Sequence, residues 1–152
     1  SIVSAVIDFN HDRKAKMADR VITAMGGSVS GTSIAILGLA FKPETDDMRD
    51  SPAIDIVTTL ISAGAKLRVY DPKAMEEAKA LLPHGITFCK SATDCLNGVG
   101  AAVVVTEWNE FRALTPSQFA KEMVGNVLVD LRNVYEPAAM QDAGFHYVSI
   151  GR

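Results

Sequence analysis

Three short segments collect the residue types that hold a phosphorylated nucleotide. The first is Phe41-Lys42-Pro43, with Arg49 further along the same charged loop. The second is Thr106-Glu107-Trp108-Asn109 and the third Asp130-Leu131-Arg132-Asn133. Arginine offers a planar fork that matches phosphate, and lysine a point charge. Phe41 beside Lys42 pairs a stacking face with a cation, and Pro43 stiffens the turn. Brought together, these segments make a crevice of cations, hydroxyl and amide donors and aromatic faces, which suits a nucleoside diphosphate. Each also has a plainer reading. Phe41 to Arg49 reads equally as a solvated charged loop, Trp108 as a core or edge aromatic, and Asp130 with Arg132 as an ion pair across a turn.

The segments meet only if each ends a strand on the same side of a sheet. The apolar run Ile34–Leu37 begins a strand over 34–40, and Gly38 turns the backbone where a Cβ would clash. Ser51 is placed as an N-cap and Pro52 as the first residue of a helix over 52–63. Further strands are read at 66–70, 86–89, 101–106, 126–131 and 146–150, with helices at 73–82, 92–98, 116–123 and 137–142 between them. Short apolar strands alternating with helices require right-handed crossovers and a parallel sheet covered on both faces. The expected fold is therefore α/β: a Rossmann-like three-layer sandwich with a six-stranded parallel sheet in the order 3-2-1-4-5-6. Ligands of such sheets bind at the carboxyl ends of the strands, here between strands one and four.

A long helix over 4–25 precedes the sheet. Val3, Val6, Ile7, Ala15, Ala18, Val21, Ile22 and Met25 share one face, Asn10–Lys14 form a polar middle, and Gly26-Gly27 stop it. A helix placed ahead of a sheet joins two domains or pairs with its own copy; the alternative is a helix packed on its own sheet. Residues 1–27 are thus read as a linker and dimerisation helix and 28–152 as the binding domain. His11 reads as an exposed helix residue.

At 152 residues the chain suits one domain. A net charge of −3 argues against a nucleic-acid footprint, and no apolar run reaches the ~20 residues of a membrane span. There is no secretory leader pattern, and the opening on Ser1 within an apparent helix reads as a piece of a longer protein. Cys89 and Cys95, spaced C-x5-C, read as two buried or half-buried thiols in a reducing cytoplasm, with no ligand set for a metal. Neither has the electropositive, partly exposed setting of a nucleophile, so no catalytic residue is assigned. The dinucleotide fingerprint is missing as well: Gly38-Leu39-Ala40-Phe41-Lys42-Pro43 lacks the second glycine and the immediate helix start. Asp71 ends strand two where an acid would hold an adenosine ribose. Without the glycines, Asp71-Pro72 reads as a strand-ending turn.

The stretch Gly-Leu-Ala-Phe-Lys-Pro-x-Thr-Asp-Asp-x-Arg-x-Ser-Pro, from Gly38 to Pro52, resembles the start of the carboxy-terminal UDP-binding domain of the UDP-glucose/GDP-mannose dehydrogenase family. Thr106-Glu107-Trp108 and Asp130-x-Arg132-Asn133 resemble two further segments of that family, although Leu131 departs from the glycine frequent there. The resemblance covers essentially the whole chain. It implies that Phe41, Lys42 and Arg132 bind the UDP-sugar and that Arg49 reaches NAD held on an amino-terminal domain. It further implies that the linker helix forms much of a homodimer interface. The reaction implied is a double NAD-linked oxidation of the sugar through a cysteine thioester, with the cysteine and the NAD fingerprint lying before Ser1. The last two segments favour UDP-glucose as substrate over GDP-mannose or UDP-N-acetylmannosamine. The remaining alternative is a free-standing nucleotide-binding module with no enzyme attached.

Overall fold

Alternation along the strands gives the sheet two apolar faces, and the helices divide between them. The computed structural model describes residues 16–49 and 51–150. Its sheet has six parallel strands in the order β3-β2-β1-β4-β5-β6. These are β1 (Ser33–Leu37), β2 (Lys66–Tyr70), β3 (Thr87–Phe88), β4 (Ala101–Val104), β5 (Val127–Asp130) and β6 (His146–Ser149). The helices are α1 (16–24), α2 (Pro52–Ser62), α3 (Met75–Leu81), α4 (Ala92–Leu96), α5 (Asn109–Arg112), α6 (Pro116–Glu122) and α7 (Pro137–Asp142).

On one face Ile34, Ile36, Val69, Val103 and Val129 pack with Ala18 and Val21 of α1, Ile56 and Leu60 of α2 and Ala78 of α3. On the other, Ala35, Leu37, Ala102, Val104 and Leu128 pack with Cys95 of α4, Phe111 of α5, Phe119 of α6 and Met140 of α7. Ile34, Ile36, Leu60 and Phe119 are wholly buried, each worth about 1.5–3 kcal/mol of transfer free energy.

The expected architecture and strand order are what the chain adopts. Of the expected 4–25 helix, 16–24 is helical; residues 4–15, and His11 with them, lie outside the described residues. Several boundaries move. β1 stops at Leu37 rather than at residue 40, because Gly38 takes φ +98° and the next two amides turn away from the ladder. α3 begins at Met75 rather than 73, since the amides of Lys73 and Ala74 are taken by the Asp71 side chain. β3 contracts to Thr87–Phe88, and β4 ends at Val104, although the amide of Val105 still reaches Leu37 O at 2.8 Å. The short helix α5 was not expected; Trp108 and Phe111, three apart and both buried, were its apolar signal.

Candidate functional site: the loop after the first strand

The loop leaving β1 is held by the ends of three other strands and by the start of α2. Leu39 and Ala40 donate their amides to Asp71 Oδ2, at 2.7 and 3.0 Å. The carbonyls are taken in succession. Ser51 Oγ donates to Leu39 O at 2.7 Å, Thr106 Oγ1 to Ala40 O at 2.7 Å, and Arg132 Nη2 to Phe41 O at 2.9 Å. Polar backbone groups in a buried segment need such partners, and an unsatisfied one costs about 1–3 kcal/mol. Gly38 makes the crossing possible: a Cβ there would lie 2.6 Å from Thr106 Cβ. The outcome is a fixed peptide, Leu39–Phe41, at the mouth between β1 and β4. It presents Phe41, 45% exposed, and the exposed Lys42 to solvent.

Asp71 is the centre of this arrangement. It is buried and accepts from five donors: the amides of Leu39, Ala40, Lys73 and Ala74, and Trp108 Nε1. The strand-ending turn expected at Asp71-Pro72 is present, but its role is wider, tying β1, β4 and α3 to β2. Trp108 is 4% exposed, so of its two readings the structure gives the core aromatic. A dinucleotide would need Asp71 for its ribose. Both carboxylate oxygens are already committed, and no glycine follows Gly38 in the loop, so these residues do not fit NAD.

Asp130 plays the same part at the end of β5. It is fully buried and accepts from the amides of Arg132, Val134 and Tyr135 and from Tyr147 Oη, the last at 2.6 Å. The ion pair weighed for Asp130 and Arg132 gives way to a different one: Arg132 Nε lies 3.0 Å from Glu107 Oε2 and donates to Val105 O at 2.9 Å. Asn133 takes φ +55° as the chain turns, a conformation asparagine tolerates better than most residues. Tyr135 donates to Phe111 O, and burial pushes its phenol above the ordinary range. Tyr70, which donates to Glu110 at 3.1 Å, is pushed up to about 12 by burial and then by that carboxylate.

Further along the loop, Arg49 folds back on Asp47. Its Nε and Nη2 reach the two carboxylate oxygens at 3.0 Å each, while the side chain stays 89% exposed. The Arg49 guanidinium, then the Arg49 amide on Asp47 Oδ1 at 2.9 Å, with a smaller effect from Lys42, hold the Asp47 carboxyl at about 2. Glu44, at φ +65°, lies 3.9 Å from Lys73 Nζ.

Of the residues singled out from sequence, Phe41 and Arg132 are in direct contact, and Lys42 adjoins Phe41 on the exposed rim. Arg49 is joined to the same rim through Asp47, which its side chain pairs with and whose carbonyl accepts the amide of Phe41 at 2.8 Å. Sequence reasoning missed Asp71 as a hub, Ser51 as a clamp on Leu39 as well as an N-cap, and Glu107 as the partner of Arg132. Cys89 and Cys95 are free and buried, as read. Among the described residues no group of three His, Cys, Asp or Glu is gathered for a metal, and no helix is long and apolar enough to cross a membrane.

A model of the UDP-glucose/GDP-mannose dehydrogenase family, UDP binding domain, matches residues 35–137. The chain is 45% identical over 151 residues to a UDP-glucose 6-dehydrogenase of Rhizobium meliloti (strain 1021), covering 99% of this chain and 34% of that one. It is 36% identical over 151 residues to one of Bacillus subtilis (strain 168), with 99% and 32% covered. Among solved structures, a UDP-glucose dehydrogenase from the hyperthermophilic archaeon Pyrobaculum islandicum superposes with a TM-score of 0.72 at 28% identity, over 90% of this chain and 29% of that one. The chain spans about a third of the length of the curated relatives it matches.

Proposed function

Because the chain belongs to the UDP-glucose/GDP-mannose dehydrogenase family, we propose that it supplies the nucleotide-sugar side of the active-site cleft of a UDP-glucose 6-dehydrogenase. The observation that carries this reading is the fixed Leu39–Phe41 peptide, pinned by Asp71, Ser51, Thr106 and Arg132 at the carboxyl ends of β1 and β4. A rigid platform that offers an aromatic face and an adjacent ammonium is preorganised for a base and its phosphates, so little ordering is required on binding. Phe41 and Lys42 contact the UDP-sugar. Arg132 holds Phe41 in place through its carbonyl and brings its remaining donors to the same rim.

In this reading the sugar is oxidised twice, from UDP-glucose to UDP-glucuronate, by NAD bound on a domain preceding this one. Arg49, exposed on the outer limb of the loop, reaches toward that cofactor. Residues 1–27 join the two domains, with Ala18 and Val21 of α1 seated on this chain's own sheet, and contribute to a homodimer interface, in the cytoplasm. The chain alone is inactive, since neither Cys89 nor Cys95 belongs to the segments at the ends of β1, β4 and β5 that would hold the substrate. UDP-glucose is preferred over GDP-mannose or UDP-N-acetylmannosamine because the relatives at 45% and 36% identity are named for it.

Calorimetric titration of the chain with UDP, UDP-glucose and NAD, each alone, tests the assignment. Binding of UDP and UDP-glucose without NAD is expected. Binding of NAD alone would overturn the division of labour, and turnover of UDP-glucose with NAD by this chain would overturn the claim that it lacks the catalytic machinery.

A further inference from the structure

The chain's two cysteines lie together on the sheet face opposite α2, away from the platform. Register pairs Arg68 with Thr87, so Arg68 and Tyr70 of β2 and Thr87 and Cys89 beyond it point to the same face, where α4 packs. Cys95, on α4, sets its Sγ 3.2 Å from Arg68 O and 3.8 Å from Ile36 O. Cys89 donates its amide to Val69 O at 2.9 Å and points its Sγ toward Thr87 O at 3.8 Å. The Cys95 thiol of α4 therefore lies over β2 and the Cys89 thiol over β3, the next strand in the sheet. A third group faces them. The Arg68 guanidinium is fixed by Nη2 on Asp94 O at 2.8 Å and on Asp94 Oδ1 at 3.3 Å. Its Nε–H is buried with no hydrogen-bond partner among the described residues. A buried donor without an acceptor is uncommon and costly, and a thiolate beside it would satisfy it.

We propose that Cys89 and Cys95 are an oxidation-sensitive dithiol, which hydroperoxides close to an intramolecular disulfide with Arg68 as the activating cation. This inference is independent of the nucleotide-sugar reading. The two sulfurs are unequal in the way such a pair requires. The hydrogen bond from Cys95, and then the charge of Arg68, hold the Cys89 thiol below its ordinary range, while burial pushes Cys95 well above. Cys89 also retains 5% exposure at the edge strand and Cys95 none. Cys89 thus reacts first, as thiolate, on the peroxide oxygen. The O–O bond breaks, the departing alkoxide takes up the proton that Cys89 gave up and leaves as an alcohol (water where the oxidant is hydrogen peroxide), and Cys89 becomes a sulfenic acid. The Cys95 sulfur then attacks the Cys89 sulfur, its proton leaving with the displaced hydroxide as water. In total two thiols lose two electrons and two protons, and one hydroperoxide becomes an alcohol and water. Two inert buried thiols filling space is the plainer reading, and it requires neither the pairing nor the cation.

The native chain, treated with stoichiometric hydrogen peroxide, alkylated and digested without reductant, is expected to yield one peptide linking Cys89 to Cys95, with a mass lower by two hydrogens. Dithiothreitol should reverse it. In Cys95→Ala the same treatment should leave a Cys89 sulfenic acid that dimedone traps. Arg68→Gln should slow the native reaction severalfold while leaving the reaction in denaturant unchanged. Overturning results are a native chain whose thiols stay unreacted until it unfolds, sulfinic acids with no linked peptide, or an Arg68→Gln rate equal to that of the unsubstituted chain.

Discussion

The indole Nε1 of Trp108 donates to Asp71 Oδ2 across 3.2 Å, joining the strands on either side of β1. The same oxygen takes the amides of Leu39 and Ala40, so one carboxylate sets both the loop that carries Phe41 and the turn that follows β4.

Replacing Asp71 by Ala would strand these buried donors. With about 1–3 kcal/mol for each group left unsatisfied, a loss of about 3 kcal/mol or more is expected in urea unfolding. Asp71→Asn should recover part of it, since one carbonyl oxygen remains. Trp108 is the only tryptophan, so its fluorescence reports the same site: a red shift is expected in Asp71→Ala under native conditions. An unshifted spectrum with unchanged stability would remove Asp71 from the centre of the loop.

Gly38→Ala and Gly144→Ala separate steric clash from backbone strain. Both glycines have positive φ, +98° and +92°, but a Cβ at Gly38 meets Thr106 at 2.6 Å whereas at Gly144 nothing lies within 4 Å. Gly144→Ala should cost about 1–2 kcal/mol from φ alone. Gly38→Ala should cost that and a further ~1–3 kcal/mol of overpacking. Equal midpoint shifts in the two variants would contradict the close approach.

Lys42 and Arg132 should part company when binding and folding are measured together. Lys42 is exposed on the rim, so Lys42→Ala is expected to weaken UDP binding by ~1–3 kcal/mol, the scale of a charge-assisted hydrogen bond, with the unfolding midpoint unchanged. Arg132 spans Phe41 O, Val105 O and Glu107, so Arg132→Ala should lower both affinity and stability. Unaltered UDP affinity in both variants would count against the crevice.

The Asp47 carboxyl, held at about 2 by Arg49, gives the loop an acid limb. A depressed folded value means that the pairing stabilises above the ordinary carboxylate range near ~3.9 and is lost as the pH falls toward 2. In Arg49→Ala the Asp47 titration, followed by carboxyl carbon NMR, should move part of the way up toward the ordinary range, since the amide of residue 49 still donates to Asp47 Oδ1. A midpoint that stays near 2 would place the cause outside this ion pair.

Much of the molecule is set by local sequence. The apolar run Ile34–Leu37, ended by Gly38, and the run Ala101–Val104, opened by Gly100, with Ser51-Pro52 and Thr115-Pro116 further on, dictate strands and helix starts, because strand period, capping and proline φ act over a few residues. Right-handed crossovers narrow the strand orders open to such a chain, and the sheet takes β3-β2-β1-β4-β5-β6 among them. The charged types in the loop and their spacing also pointed to a diphosphate crevice and to the family. Only the tertiary structure decided what each polar residue does there. Asp71 and Leu39, 32 positions apart, are bonded, as are Arg132 and Phe41, 91 apart. Nothing in the local pattern of Asp71-Pro72 distinguishes a turn from a hub, and nothing in Asp130-Leu131-Arg132 shows that the arginine turns to Glu107. Those choices fall to burial: a carboxylate or guanidinium drawn in at a strand end must take whatever partners the neighbouring strands present.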